Sequence, residues 1–168
     1  MKMFRHVGMA ALTLAAVAGL PASAQTAEAR LMDDNGFLEA LDPGTRRGVL
    51  LRQEGRDNLM MVGQAGLLPG TIQLAQEGHE NYAAASQVGM NAANQLDLQQ
   101  SGHENLSFAV QSGDANIADI GQFGTANRSL VQQIGNDNTL VHQQMGEGLV
   151  LAVTQFGGAS AMIVQSPF

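Results

Sequence analysis

The phrase Gln-x-Gly recurs ten times from Val49 onward, at Gln53, Gln64, Gln76, Gln87, Gln100, Gln111, Gln122, Gln133, Gln144 and Gln155. The steps between successive Gln residues are 11, 12, 11, 13, 11, 11, 11, 11 and 11. A repeat held in register this closely restricts the chain to stacked units, because each unit is too small to bury a core alone. Alternate members separate into Gln53, Gln76, Gln100, Gln122, Gln144 and Gln64, Gln87, Gln111, Gln133, Gln155. The larger unit is therefore about 22 residues, present five times.

Between the phrases the residues alternate. Asn116, Ala118, Ile120, Gln122 and Gly124 share one parity, as do Asn127, Ser129, Val131, Gln133 and Gly135. Period two marks strands with one buried face, and a Gly every 11 residues would weaken any helix. An odd step would turn successive Gln residues to opposite faces. The residues between Gly and Asn must therefore form a turn that resets the face. Gly takes the positive φ such turns need, and Asn tolerates it better than most residues. Each unit reads as strand, tight turn, strand, and two units close one rung. The extra residues fall in turns, near Leu67 to Gly70 and Met90 to Ala93.

The expected fold is all-β: a β-solenoid of five strand-turn-strand rungs forming two stacked parallel sheets, amyloid-like in its repetition. Like residues then sit on like, about 4.8 Å apart, close enough for side-chain amides to bond up the stack. The Gln residues form two ladders. Asn58, Asn81, Asn105, Asn127 and Asn94, Asn116, Asn138 form two more. Met60, Val62, Ile72, Leu74, Leu96, Leu98, Ile120, Val131, Leu140, Leu151 and Val153 form a thin core, with small residues such as Ala83 and Ser107 keeping the walls close. Open stack ends carry unpaired backbone groups, which favours polymerisation unless they are capped.

The phrase Gln-x-Gly-x-x-Asn, the next Gln 11 residues on, and five tandem units together resemble the curlin repeat of curli amyloid subunits, over roughly residues 49 to 165. The resemblance implies a structural subunit of extracellular functional amyloid, serving cell adhesion and the biofilm matrix. It implies as partners further copies of the chain, other curlin subunits and an outer-membrane secretion machinery. The resemblance leaves open a minor, nucleating subunit or a major one. The chain departs from the family where Ser commonly opens each unit. Arg47, Gly70, Asn94, Asn116 and Asn138 stand there instead. Leu149 and Ser160 stand where Asn is expected, and Ser166 where an eleventh Gln would come.

Residues 1–24 read as a signal peptide, with Lys2 and Arg5 before an apolar run and Pro21-Ala22-Ser23-Ala24 as the cleavage pattern. Residues 25–48 read as a flexible leader. The competing readings are a short helix at Asn35 to Leu41 or a segment bound during export. Residues 49–168 form the repeat domain. Without the signal, 6 basic residues face 15 acidic ones, and the only Lys is gone. That excludes a nucleic-acid partner, which needs basic side chains on its phosphates. The chain has no Cys, so no disulfide framework supports the fold.

No catalytic set is legible, and no enzyme, cofactor or metal is expected. His79-Glu80 and His103-Glu104 fall at the same turn position one rung apart. They read as repeated surface turns more than as a metal site, since no third ligand column is evident. His142 lies on an inward parity as a tolerated core residue. The alternative function is a monomeric secreted β-solenoid that binds a surface or polysaccharide through outward apolar residues. These include Leu106, Phe108, Val110, Leu130, Ile134, Val150 and Phe156.

Overall fold

The computed structural model describes residues 26–31, 35–42, 47–66 and 70–167. The expected signal peptide lies outside these. Among the described residues the chain is entirely strand and turn. The strands are β1 (Thr26–Leu31), β2 (Asn35–Asp42), β3 (Arg47–Arg56), β4 (Leu59–Ala65), β5 (Gly70–His79), β6 (Tyr82–Val88) and β7 (Asn94–His103), followed by β8 (Leu106–Ser112), β9 (Ile117–Thr125), β10 (Arg128–Ile134), β11 (Thr139–Glu147), β12 (Val150–Phe156) and β13 (Ser160–Gln165).

Two sheets result, ordered β1-β4-β6-β8-β10-β12 and β13-β11-β9-β7-β5-β3-β2. From β3 to β13 every pairing is parallel. The chain climbs one rung for each pair of strands, crossing between sheets at each turn. It is a β-solenoid of five rungs, β3–β4 through β11–β12, with β13 as an added half. Alternation sets which residues enter the core. In β6 the buried positions are Ala83, Ala85 and Gln87, and in β10 they are Ser129, Val131 and Gln133.

Apart from the Gln and Asn columns the core is two inward side chains wide in each strand, most of them apolar. One sheet supplies large residues (Ile72, Leu74, Leu96, Leu98, Ile120, Leu140) and the other mostly small ones (Ala83, Ala85, Ser107, Ala109), so the two walls interdigitate at short range. Leu151 and Val153, expected in the core, are only half-buried. They belong to the last complete rung, and β12 has no strand beyond it in its sheet.

Within the expected leader the structure describes residues 26–31 and 35–42, and both are strand. β1 runs antiparallel to β4, and β2 antiparallel to β3, with Asp42 opposite Arg47. Asn35 to Leu41, weighed as a helix, is strand. The physical reason is the edge of the first rung, whose backbone groups seek partners, and the adjoining chain lies nearest. β3 also begins at Arg47, ahead of the expected domain boundary.

Candidate functional site

Each Gln of the phrase is the last inward residue before a turn, and parallel in-register pairing places it over its counterpart. Gln64 pairs with Gln87, Gln87 with Gln111, Gln111 with Gln133 and Gln133 with Gln155. In the other sheet Gln53, Gln76, Gln100, Gln122 and Gln144 follow one another. All ten are buried, at no more than 4 % exposure.

A Gln amide has two N–H donors and one acceptor oxygen, and this geometry uses both donors. One N–H points along the stack. Gln87 Nε2 donates to Gln111 Oε1 at 2.7 Å, and Gln111 Nε2 to Gln133 Oε1 at 2.8 Å. Gln76, Gln100 and Gln122 donate onward in the same sense at 2.7, 2.7 and 2.9 Å. The second N–H crosses the core to a carbonyl at the start of a strand in the opposite sheet. Gln111 reaches Gln95 O at 2.9 Å, and Gln122 reaches Leu106 O at 3.1 Å. Each amide thus joins rung to rung and sheet to sheet. Gln53 differs, donating to Asn58 O within its own turn at 2.9 Å.

The Asn columns run with the opposite polarity. Asn105 Nδ2 donates back to Asn81 Oδ1 at 3.0 Å, and Asn138 Nδ2 back to Asn116 Oδ1 at 2.8 Å. The same oxygens accept a backbone N–H from the rung beyond, as Asn127 N does to Asn105 Oδ1. Asn81, Asn105 and Asn127 Nδ2 also donate to Gly carbonyls of the next rung, at 2.9 to 3.1 Å. Asn58 and Asn94 enter their columns only as acceptors from the Asn beyond.

Turn chemistry is where the sequence reading needs correcting. The positive φ angles fall on Gly and on the residue just before Asn, not on Asn. Gly102 lies at +122° and Glu104 at +55°, Gly113 at +116° and Ala115 at +56°. Asn closes the turn with its side chain, through bonds such as Asn81 Nδ2 to Glu77 O at 3.2 Å. The insertion near Met90 does lie in a turn. Asp114 anchors it by accepting the backbone N–H groups of Met90 and Asn91 at 2.8 and 3.0 Å, which holds its carboxyl below the usual range.

Two further corrections concern the C-terminal repeat. Gln165, not Ser166, takes the eleventh ladder position, paired with Gln144 and accepting its Nε2 at 2.8 Å. Ala159, not Ser160, lies where Asn is expected, donating its backbone N–H to Asn138 Oδ1. The turn after Gln155 is one residue shorter than the others, which a fixed step of 11 overlooks. A count back from Val164 in the alternation could have found it.

His142 is fully buried in a column with Leu98, Ile120 and Ile163. Its Nδ1 lies 3.1 Å from Ser129 Oγ, and burial pushes its pKa down to about 4, so the ring is neutral. His79 and His103 lie edge to face, ring centroids 6.3 Å apart. Ligand atoms of Glu80, His103 and Glu104 come within 4.8 Å of one another on the surface, where His103 pairs with Glu104 at 3.3 Å. Among the outward apolar residues, Phe108, Val110, Leu130 and Ile134 are exposed on one sheet, continuous with Val150 and Phe156.

Two sheets held in register by columns of side-chain amides define a repeat-built β-solenoid whose hydrogen bonds run along its own axis. Residues 92–124 and 113–141 match the curlin associated repeat, which supports the resemblance to the curlin-repeat family. No curated protein and no solved structure gives a significant match.

Proposed function

We propose that the chain is a structural subunit of an extracellular curli-type amyloid fibre, assembling with its own kind for adhesion and biofilm matrix. Other curlin subunits and an outer-membrane secretion machinery are its further partners, and residues 1–24 direct its export. The Gln and Asn columns serve as register devices. A buried amide out of step would lose its partner at a cost of about 1–3 kcal/mol, whereas one in step is satisfied at every level.

The observation that carries this reading is the last rung. Val150, Phe156, Met162 and Val164 are 50 % to 75 % exposed, and the inward residues Leu151, Val153, Ala161 and Ile163 are only half-buried. Soluble solenoids cover such an end with a polar cap. Here the apolar residues of β12 and β13 stand uncovered.

The test is assembly of the purified chain from a monomeric start at tens of micromolar. β-rich fibres with a rise of about 4.8 Å per strand are expected. Light scattering that stays flat for weeks would instead support the monomeric surface-binding solenoid.

A further inference from the structure

Deepening the fibre reading, and resting on it, we infer that a second copy of this chain docks by its first rung on the β12–β13 edge after a half-turn about the stack axis. Its β3 then continues the sheet of β12, and its β4 continues the sheet of β13. Its own β1 and β2 are displaced as it docks.

Strand parity requires the half-turn. Without β1 and β2, one sheet holds β4, β6, β8, β10 and β12, and the other holds β3, β5, β7, β9, β11 and β13. The repeats thus end on an unmatched half. The chain's own next half-turn would lie on β12. A copy added without rotation would seat its β3 on β13 and leave a strand-wide gap above β12. Rotation removes the gap, because both halves of each rung carry the same phrase.

Side-chain size permits the exchange at the ends but not in the second and third rungs. In the second and third rungs one sheet is large and the other small, as in Ile72 and Leu74 against Ala83 and Ala85. At the first rung both sides are large, Val49 and Leu51 against Met60 and Val62. At the last rung Leu151 and Val153 are large, in the sheet that carries Ala83, Ala85, Ser107 and Ala109. The distinction between the sheets is therefore erased where a swap would occur.

The ladders supply complementary ends. Gln64 Oε1 is buried without a hydrogen-bond partner, in a side chain 2 % exposed. At the other end Gln165 Nε2 donates only across the core, to Val150 O at 3.3 Å, leaving its second N–H for a further rung. After a half-turn these two groups fall in one column. The edges of β3 and β4 are occupied by β2 and β1, both antiparallel, so growth exchanges antiparallel partners for parallel ones. The stack therefore elongates at its C-terminal edge.

The experiment uses the absence of Cys in the chain. Full chains carrying Met162→Cys are co-assembled with chains carrying either Met61→Cys or Leu50→Cys. Residues 162, 61 and 50 each lie three before a ladder Gln, on outward parity. Fibres are treated with a bifunctional thiol reagent too short to span the stack, whose sheets lie about 10 Å apart before outward side chains are added. Expected is at least a tenfold excess of 162–61 over 162–50 cross-links. The pair Ala152→Cys with Leu50→Cys should link equally well. Fibres that join 162 to 50 would overturn the half-turn while leaving self-assembly intact. Chains that never assemble would overturn both. If oxidised Arg30→Cys/Met61→Cys, joining β1 to β4 at opposed positions, assembles as fast as its reduced form, displacement of the leader is refuted.

Discussion

Gly102 lies directly below Gly124, so close that a Cβ on Gly102 would stand 2.0 Å from the Gly124 carbonyl oxygen. Its φ of +122° is also one that residues with side chains rarely adopt. Both constraints recur at Gly55, Gly78 and Gly124, because one turn is copied rung upon rung.

Gly102→Ala is therefore expected to cost several kcal/mol, about 3 or more, by separating two rungs at a turn. Gly148→Ala is the contrast. Its φ is +65° with nothing within 4 Å of the added carbon, so the cost is that of the left-handed conformation alone, about 1–2 kcal/mol. Denaturant midpoints for loss of β-structure should rank wild type, Gly148→Ala and Gly102→Ala in descending order.

Gln111 tests the amide columns. Leu in its place removes the acceptor of Gln87 and the donors to Gln133 and Gln95. Each buried group left unpaired costs about 1–3 kcal/mol. Gln165→Leu disturbs fewer bonds at a half-exposed end, so its loss should be smaller. Equal effects in the same denaturant assay would contradict a cooperative column.

His142 sets a pH dependence. Its folded pKa is lowered from 6.5 to about 4 by burial, so between these values the unfolded chain binds more protons than the folded one. Its contribution is whole above about pH 6.5 and is lost as pH falls towards 4, at up to roughly 1.4 kcal/mol per unit within the window. His142→Leu should flatten the urea midpoint across that range.

Asp97 should act in the opposite direction. Desolvation first, and then the charge of Asp119 on the next rung, hold its carboxyl above the usual range. Its contribution is most favourable at acid pH and is lost as pH rises through the raised folded value. Asp97→Asn is expected to raise the denaturant midpoint at pH 7, by under about 1 kcal/mol given solvent screening, with the gain shrinking towards pH 4.

Much of this was legible in one dimension. A Gln every 11 residues with Gly two later dictates copied turns, and alternation between them dictates which side chains face inward. What that reading lost shows where local pattern stops. It misplaced the final repeat by one residue, because Gln165 is fixed by pairing with Gln144 and not by counting. It gave Asn the turn's strained backbone, although Asn81 and its counterparts act through their side chains. It left residues 26–31 and 35–42 without partners, because the edge that pairs them exists only once the first rung has formed.

The sequence by itself therefore determined the repeat, the parity of each strand and the identity of the stacked residues, since these follow from spacing alone. Only the tertiary structure decided the opposed polarity of the Gln and Asn columns, the crossing bonds between sheets, and the unequal strand numbers that leave one end unmatched. Those depend on which group comes within hydrogen-bond reach when rungs lie over one another, and directional bonds across space leave no mark in the order of residues.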